Sequence, residues 1–217
     1  MRFSGIKAVL FDLDGTLVDT AFDLGSAANH VRAGLGMTPL PLENYRPAAS
    51  GGASGLLKTA LNITPDHPDF PRHRETFLSY YGDNIAQHSR LFPNLTETLS
   101  ALAAKKMIWG VVTNKPKRYT DALIRELQLR PACTVSADEV KKSKPAPDSL
   151  LAACARLKLE SAECIYVGDD KRDIDAGKAA GMKTVAVAWG YEGEYPIASW
   201  NADALIQKPD ELLGLFV

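Results

Sequence analysis

An apolar run that leads directly into two aspartates places the strongest constraint on this chain. Residues 6–11 read as a buried strand, and Asp12-Leu13-Asp14-Gly15-Thr16 follows at once. A buried charge costs several kcal/mol unless it is paired or bound to a cation. Two carboxylates at the mouth of a strand therefore need a reason. Phosphoryl transfer beside a magnesium ion supplies one; the alternative is that the acids merely cap a turn or a helix.

Composition narrows the class of protein. The 217 residues are 46% hydrophobic and 24% charged, with a formal net charge of −1, so there is no electrostatic case for a nucleic-acid partner. The cysteines, Cys133, Cys154 and Cys164, lack CxxC spacing, which argues against a zinc site or a disulfide framework. With no visible signal peptide and no apolar run long enough for a bilayer, we expect a cytoplasmic protein with no membrane partner.

Short apolar runs alternate with helical patterns over most of the chain, which predicts a doubly wound parallel α/β sheet, a Rossmann-like core. The predicted strands are 6–13, 108–113, 133–136, 164–168, 184–189 and, more weakly, 204–206. The predicted helices are 95–105, 118–127, 148–157, 174–180 and 209–215.

Residues 17–90 interrupt this alternation. Helical patterns cover 22–35, 54–61 and 70–87, with joints rich in proline and glycine between them and no convincing strand. The simplest account is a helical cap inserted after the first strand. We therefore expect a core of residues 1–16 and 91–217 and a cap of residues 17–90, placed over the carboxyl ends of the strands, where α/β sheets bind ligands.

Polar clusters follow four of the predicted strands. Besides the first aspartates, they are Thr113-Asn114-Lys115, Lys144-Pro145 and Gly168-Asp169-Asp170-Lys171-Arg172-Asp173. Because parallel strands end at one edge of the sheet, the fold should bring these clusters together. Their chemistry suits a small-molecule phosphate ester as the substrate.

The predicted roles follow from what phosphoryl transfer needs. Asp12 is the nucleophile and forms an aspartyl-phosphate, while Asp14 is the general acid/base. The predicted cofactor, Mg²⁺, is held by Asp12, the Asp14 main-chain carbonyl and Asp169, since this hard cation prefers oxygen ligands. Thr113 supplies a hydroxyl donor and Lys144 a positive charge near the phosphoryl oxygens.

The remaining candidates bind the substrate or support the metal. Asp170 and Asp173 are predicted to orient metal-bound water. Gly15, Thr16 and Asn114 are predicted to contact the phosphate or the substrate. The loop Ser50-Gly51-Gly52 could bind a substrate carboxylate through free backbone N–H groups, or be an ordinary helix start. Lys115 could bind the anionic end of the substrate, or be a solvated surface lysine.

The four clusters, in this order and strand context, resemble the motifs of haloacid dehalogenase-superfamily phosphatases with a helical cap, and the likeness covers essentially the whole chain. Dehalogenases of the superfamily lack the second carboxylate, so Asp14 argues against that activity. The cap lysine of the phosphonate-cleaving relatives has no good counterpart, because Lys58 lies on an amphipathic helix. The resemblance thus implies a phosphatase, with a sugar phosphomutase as an open alternative.

Two substrate classes stay open at this point. Val112-Thr113-Asn114-Lys115-Pro116 resembles phosphoglycolate phosphatases, whereas Ser50–Ala53 and Trp189-Gly190-Tyr191 lean towards relatives that act on N-acetylmuramic acid 6-phosphate. A rival of another class is a non-catalytic phospho-aspartate receiver or binding protein. A receiver needs neither a lid nor a carboxylate two residues after the phosphorylated aspartate.

Overall fold

A six-stranded parallel sheet organises the chain. The computed structural model describes residues 2–191 and 196–217. The strands run in the order β5-β4-β1-β6-β7-β8, and every neighbouring pair is parallel. Their bounds are β1 Ala8–Phe11, β4 Ile108–Val112, β5 Thr134–Val135, β6 Cys164–Gly168, β7 Lys183–Val187 and β8 Ala204–Ile206. The predicted doubly wound parallel sheet is confirmed.

Strand β1 lies at the centre of this sheet. Strands β4 and β5 lie on one side of it, and β6, β7 and β8 lie on the other. The last residue of β1, Phe11, is in register with Val111 of β4 and with Val167 of β6. All four residues of β1 are buried, as are all five of β6, because helices cover both faces. The residues that follow these strands therefore meet in the crevice where a doubly wound sheet binds its ligands.

Seven α-helices accompany the strands among the described residues: α1 Ala21–Gly34, α2 Gly52–Leu61, α3 Phe70–Asp83, α4 Leu95–Ala104, α5 Lys117–Glu126, α6 Asp148–Leu157 and α7 Lys171–Ala179. Most predicted helices end within a residue or two of these bounds. Helix α7 begins three residues earlier than predicted, since Asp170 caps it by accepting a hydrogen bond from the Arg172 N–H at 2.8 Å. Residues Pro209–Leu215 form a 3₁₀ helix, and α3 ends at Asp83.

The prediction of no strand in residues 17–90 is wrong at its two borders. Strand β2, Val18–Asp19, pairs antiparallel with β3, Arg90–Leu91. The pairs are Val18 with Leu91 and Asp19 with Arg90. Two-residue strands have no periodicity that a sequence pattern can reveal. A second missed element is the 3₁₀ helix Leu42–Gly51, where we had expected only a joint.

The helices between β2 and β3 share an apolar cluster of their own. Helices α1 and α2 pack on the 3₁₀ helix, and α3 packs on α1 and α2, around buried side chains such as Tyr45, Leu57 and Phe77. Tyr119 and Tyr191 from the sheet side of the molecule join this cluster. A separate cap needs an apolar cluster of this kind. The division of the chain into a cap of residues 17–90 and a core of the remaining residues stays a prediction. None of the described helices combines the length and apolarity required to cross a membrane.

Candidate active site

One cavity of about 290 Å³ opens at the carboxyl ends of β1, β4 and β6. Twelve of the fourteen predicted site residues line it: Asp12, Asp14, Ser50, Gly51, Gly52, Thr113, Asn114, Lys115, Lys144, Asp169, Asp170 and Asp173. Gly15 and Thr16 lie behind this wall. Helix α3 contributes Phe77, Leu78 and Tyr81 from the other side. The parallel sheet thus brings the polar clusters together, as their positions after the strands predicted.

Three carboxylates form the centre of the cavity floor. Asp12, Asp169 and Asp173 each offer an oxygen within 4.8 Å of the others, and Asp169 and Asp173 are almost fully buried. Burial raises the pKa of Asp169 well above its ordinary value, and the charges of Asp12 and Asp173 add to this effect. A divalent cation would relieve this crowding, and an all-oxygen donor set suits Mg²⁺. The residues present therefore fit a metal ion.

A single buried ammonium faces this acidic group. Lys144 Nζ lies 2.8 Å from Asp12 Oδ1 and 2.7 Å from Asp173 Oδ1, and it donates to the Tyr166 hydroxyl at 2.8 Å. The contact to Asp12 lacks hydrogen-bond geometry, so Asp12 Oδ1 is buried without a hydrogen-bond partner among the described residues. One ammonium cannot neutralise three carboxylates. Asp12 therefore keeps an oxygen available for a cation or a phosphorus atom.

Two hydrogen bonds hold Asp169 in place, and a glycine leaves room for its carboxylate. Thr16 Oγ1 donates to Asp169 Oδ1 at 2.7 Å, and the Tyr191 N–H donates to Oδ2 at 3.0 Å. Gly15 has φ +83°, and a Cβ there would lie 2.2 Å from Asp169 Oδ2. Only glycine allows this approach. The structure thus gives Gly15 and Thr16 a positioning role towards Asp169, while their contact with a phosphate stays a prediction.

Asp14 lies in a different environment from Asp12. Lys115 Nζ donates to its two carboxylate oxygens at 2.9 and 3.1 Å, and Thr20 Oγ1 donates to Oδ1 at 2.6 Å. Burial alone would lower the pKa of Lys115, but the Asp14 charge raises it above its ordinary value. Because Lys115 is only 8% exposed, the alternative of a solvated surface lysine is wrong. The other alternative, that Lys115 binds the anionic end of the substrate, stays a prediction.

The loop after β4 carries Thr113 and Asn114. The Asn114 side chain donates to the Lys144 carbonyl at 2.9 Å and accepts from the Lys144 N–H at 3.0 Å. It thereby fixes the loop that presents the Lys144 ammonium. Thr113 is buried beside the cavity, where its hydroxyl accepts from the Lys115 N–H at 3.2 Å and keeps its proton for another acceptor. The Asn114 amide thus positions the Lys144 ammonium, and contact of Asn114 with the substrate stays a prediction.

Asp170 is engaged with an arginine. Its carboxylate accepts from Arg172 Nε and Nη2, both at 2.8 Å, and this arginine lowers the carboxyl pKa against the raising effect of burial. Arg172 Nη2 also donates to the Ser50 carbonyl at 2.7 Å. Ser50 is thus tied to the start of α7 at the cavity wall, which Gly51 and Gly52 also line. Both oxygens of Asp170 accept hydrogen bonds from Arg172. The role of Asp170 towards metal-bound water stays a prediction.

Comparison with known proteins agrees with this site. Residues 9–187 match the family model of haloacid dehalogenase-like hydrolases. The chain belongs to this family. It is 39% identical to an N-acetylmuramic acid 6-phosphate phosphatase of Pseudomonas aeruginosa, over 99% of this chain and 96% of that protein. It is 37% identical to a phosphoglycolate phosphatase of Xanthomonas campestris, over 98% and 96%.

A solved structure supports the same conclusion for the fold of this haloacid dehalogenase-like chain. The crystal structure of a predicted phosphoglycolate phosphatase from Haemophilus somnus superimposes with a TM-score of 0.85 at 28% identity, covering 97% of this chain and 98% of that one. The match spans both the sheet and the helices between β2 and β3. The family resemblance stated from the motifs is therefore confirmed.

Proposed function

We propose that this protein is a cytoplasmic, Mg²⁺-dependent phosphomonoesterase that hydrolyses small phosphate esters through an aspartyl-phosphate. One observation carries the proposal. Asp12, whose buried Oδ1 makes no hydrogen bond among the described residues, stands in a group of three carboxylates beside the Lys144 ammonium, and Asp14 lines the same cavity. The phosphatase relatives of the family support the same class of reaction.

The first half-reaction transfers the phosphoryl group to the protein. An Asp12 oxygen attacks phosphorus, the bond from phosphorus to the ester oxygen breaks, and Asp14 gives its proton to the departing alkoxide. Lys144 and the Thr113 hydroxyl lie where they can bind phosphoryl oxygens as charge builds up. Asn114 maintains Lys144 in that place through its two hydrogen bonds to the lysine main chain.

The second half-reaction restores Asp12. Asp14 takes a proton from water as the water oxygen attacks the phosphorus of the aspartyl-phosphate; the bond from phosphorus to the Asp12 oxygen breaks, which releases inorganic phosphate and returns Asp12 as a carboxylate. Mg²⁺ would be held by Asp12, the Asp14 main-chain carbonyl and Asp169, with Asp173 in reach, and would offset the negative charge of nucleophile and phosphate. Asp170 would support the metal-bound water. We further propose that residues 17–90 act as a cap, since α3 and the Ser50–Gly52 loop line the cavity.

The substrate is an acid as well as a phosphate ester. The named substrates of the relatives, N-acetylmuramic acid 6-phosphate and phosphoglycolate, each carry a carboxylate. The relative that acts on the amino-sugar phosphate is 39% identical to this chain and the phosphoglycolate phosphatase 37%. The Ser50–Ala53 and Trp189-Gly190-Tyr191 motifs also lean towards the former, so we favour the amino-sugar acid. Phosphoglycolate is the second candidate, because Thr113-Asn114-Lys115 resembles the motif of phosphoglycolate phosphatases.

The experiment measures Mg²⁺-dependent phosphate release from N-acetylmuramic acid 6-phosphate and from 2-phosphoglycolate, with Asp12→Asn as the blank. A higher kcat/KM for the sugar supports the favoured substrate, and the reverse order supports the second candidate. Return of phosphate to another hydroxyl of the sugar would indicate a phosphomutase. Retention of phosphate on Asp12 without turnover would indicate a receiver.

A further inference from the structure

A buried tyrosine hydroxyl without a hydrogen bond among the described residues belongs to the cavity that Asp14 also lines. Tyr81 of α3 lines the cavity and is 2% exposed, and its hydroxyl makes no hydrogen bond among the described residues. Burial raises the pKa of Tyr81 to about 12, so the hydroxyl keeps its proton. Buried polar groups are nearly always satisfied, and an exception on a cavity wall suggests that a ligand completes it.

The neighbouring cation is Lys115. Its Nζ lies 4.7 Å from the centre of the Tyr81 ring and holds both oxygens of Asp14. Among the described residues, Asp14 is the single carboxylate paired with it. The ammonium thus stands between a carboxylate of the β1 loop and an aromatic ring of α3, and all three groups border the same cavity.

This ion pair conflicts with the work proposed for Asp14. To protonate a leaving group, a carboxyl oxygen of Asp14 must face the substrate, whereas Lys115 and Thr20 now occupy both oxygens. A buried ammonium cannot simply give up its only counter-ion, since an unpaired buried charge is strongly unfavourable. Another anion has to replace Asp14 at Lys115 when the reaction begins.

We propose that Lys115 and Tyr81 together form the subsite for the carboxylate of the substrate, and that this carboxylate displaces Asp14 from Lys115. The proposal rests on the phosphatase function above and names a requirement for it. The substrate's acid group accepts from the Lys115 ammonium and from the Tyr81 hydroxyl. The oxygens of Asp14 then become available to the leaving group. An ester without an acid group leaves Asp14 paired and is turned over slowly even when it is bound.

The kinetic test compares esters that differ only in the acid. N-acetylmuramic acid 6-phosphate is paired with N-acetylglucosamine 6-phosphate, and 2-phosphoglycolate with ethyl phosphate. We expect the wild type to favour the acid through kcat as well as KM. Lys115→Met should reduce the ratio of the two kcat/KM values by about ten- to a hundredfold, and Tyr81→Phe by about three- to tenfold.

A matched control is available on the same helix. Tyr80 stacks on His30 and does not line the cavity, so Tyr80→Phe should keep the wild-type ratio. Tyr81→Phe should also leave the melting temperature unchanged or raise it, because it deletes an unsatisfied buried hydroxyl. Equal losses on the acid and the neutral ester, or a drop in melting temperature, would show that Tyr81 only packs the cavity. An unchanged ratio in Lys115→Met would overturn the subsite.

A binding test separates this proposal from the proposed phosphatase function. N-acetylmuramic acid and N-acetylglucosamine carry no phosphate, so their calorimetric binding needs no hydrolysis. The acid should bind the wild type at least about tenfold more tightly than the neutral sugar, and Lys115→Met should remove that difference. Equal binding of the two sugars to the wild type would overturn the subsite. Absence of phosphate release from every ester would instead overturn the phosphatase function, whatever the sugars do.

Discussion

The two ends of the candidate site handle charge in opposite ways. At the Asp12 end, three carboxylates lie together, and the one ammonium beside them among the described residues, that of Lys144, pairs with Asp12 and Asp173 but not with Asp169. At the Asp14 end, one carboxylate has its own ammonium, Lys115. The first end is short of positive charge and fits a metal ion. The second is neutral without any ligand, so an incoming anion must compete with a protein group there.

The largest effect is expected where the charge deficit lies. Asp12→Asn removes the proposed nucleophile and should lower kcat/KM for phosphate release by about a thousandfold or more. The same change relieves repulsion among the three carboxylates, so without Mg²⁺ the variant should melt at the same temperature as the wild type or higher. A variant that keeps more than about a hundredth of the activity would contradict nucleophilic attack by Asp12.

Asp14→Asn probes the neutral end and should be less severe. Loss of general acid/base catalysis lowers kcat by about a hundred- to ten-thousandfold. Because only the main-chain carbonyl of Asp14 is proposed to face the metal, stabilisation by Mg²⁺ should survive. Thermal melts with and without Mg²⁺ check this. If Mg²⁺ no longer raised the melting temperature of this variant, the Asp14 side chain would belong to the metal site, contrary to the proposal.

Mg²⁺ itself should stabilise the protein through the Asp12 end. At a hundredfold excess over its Kd, a ligand that binds only the folded state contributes about 2.7 kcal/mol to the free energy of unfolding. Asp169→Asn should abolish that gain. Asp203→Asn, which alters a carboxylate bonded to Lys183 and Thr184 outside the cavity, should retain it. Equal gains in the two variants would exclude Asp169 from metal binding.

Gly15→Ala tests how tightly Asp169 is held. The positive φ costs about 1–2 kcal/mol in any other residue, and the new Cβ would in addition collide with the Asp169 carboxylate. Gly36→Ala is the matched control, since its φ is +70° and no atom lies within 4 Å of the added Cβ. Both variants should lose stability, but only Gly15→Ala should weaken the Mg²⁺ shift.

The smallest effect is expected for Asp203, whose carboxylate accepts several hydrogen bonds. Burial raises the pKa of Asp203, but hydrogen bonds from Lys183 and Thr184 outweigh it and leave the pKa below its ordinary value. A lowered folded-state pKa contributes stability above the unfolded pKa near 4, and that contribution is lost as the pH falls further. Asp203→Asn should cost about 1 kcal/mol or less at pH 7 and flatten the acid limb of stability. Denaturant melts between pH 7 and pH 3 measure both.

The sequence sufficed for the sheet and for the residues at its carboxyl edge. Strand Cys164–Gly168 lies where its pattern predicted it, because a parallel strand buried on both faces is a continuous apolar run, and strand Ala204–Ile206 and helix Asp148–Leu157 match their predicted bounds as well. The polar residues at the carboxyl edge of the sheet could be predicted because they follow the ends of its strands along the chain.

The other end of the site was not readable from the sequence. Tyr81 resembles any aromatic residue on an amphipathic helix, and the burial of Lys115 depends on how α3 packs above the β1 loop. A residue pattern along one segment of the chain does not encode the contacts between that segment and another. For the same reason the hydrogen bond from Arg172 to Ser50 went unpredicted, although both residues had been singled out within motifs.

The short β2–β3 pair has a consequence for how such a chain can change. Val18 faces Leu91, so the backbone leaves the sheet region and returns to it at neighbouring points. For the sheet, residues 20–89 occupy the place of a hairpin turn. Lengthening or exchanging that stretch alters loop-closure entropy only slowly with its length. Because Ser50–Gly52 and Tyr81 of this stretch line the cavity, changes in the stretch can reshape the cavity while Asp12 and its neighbours keep their places.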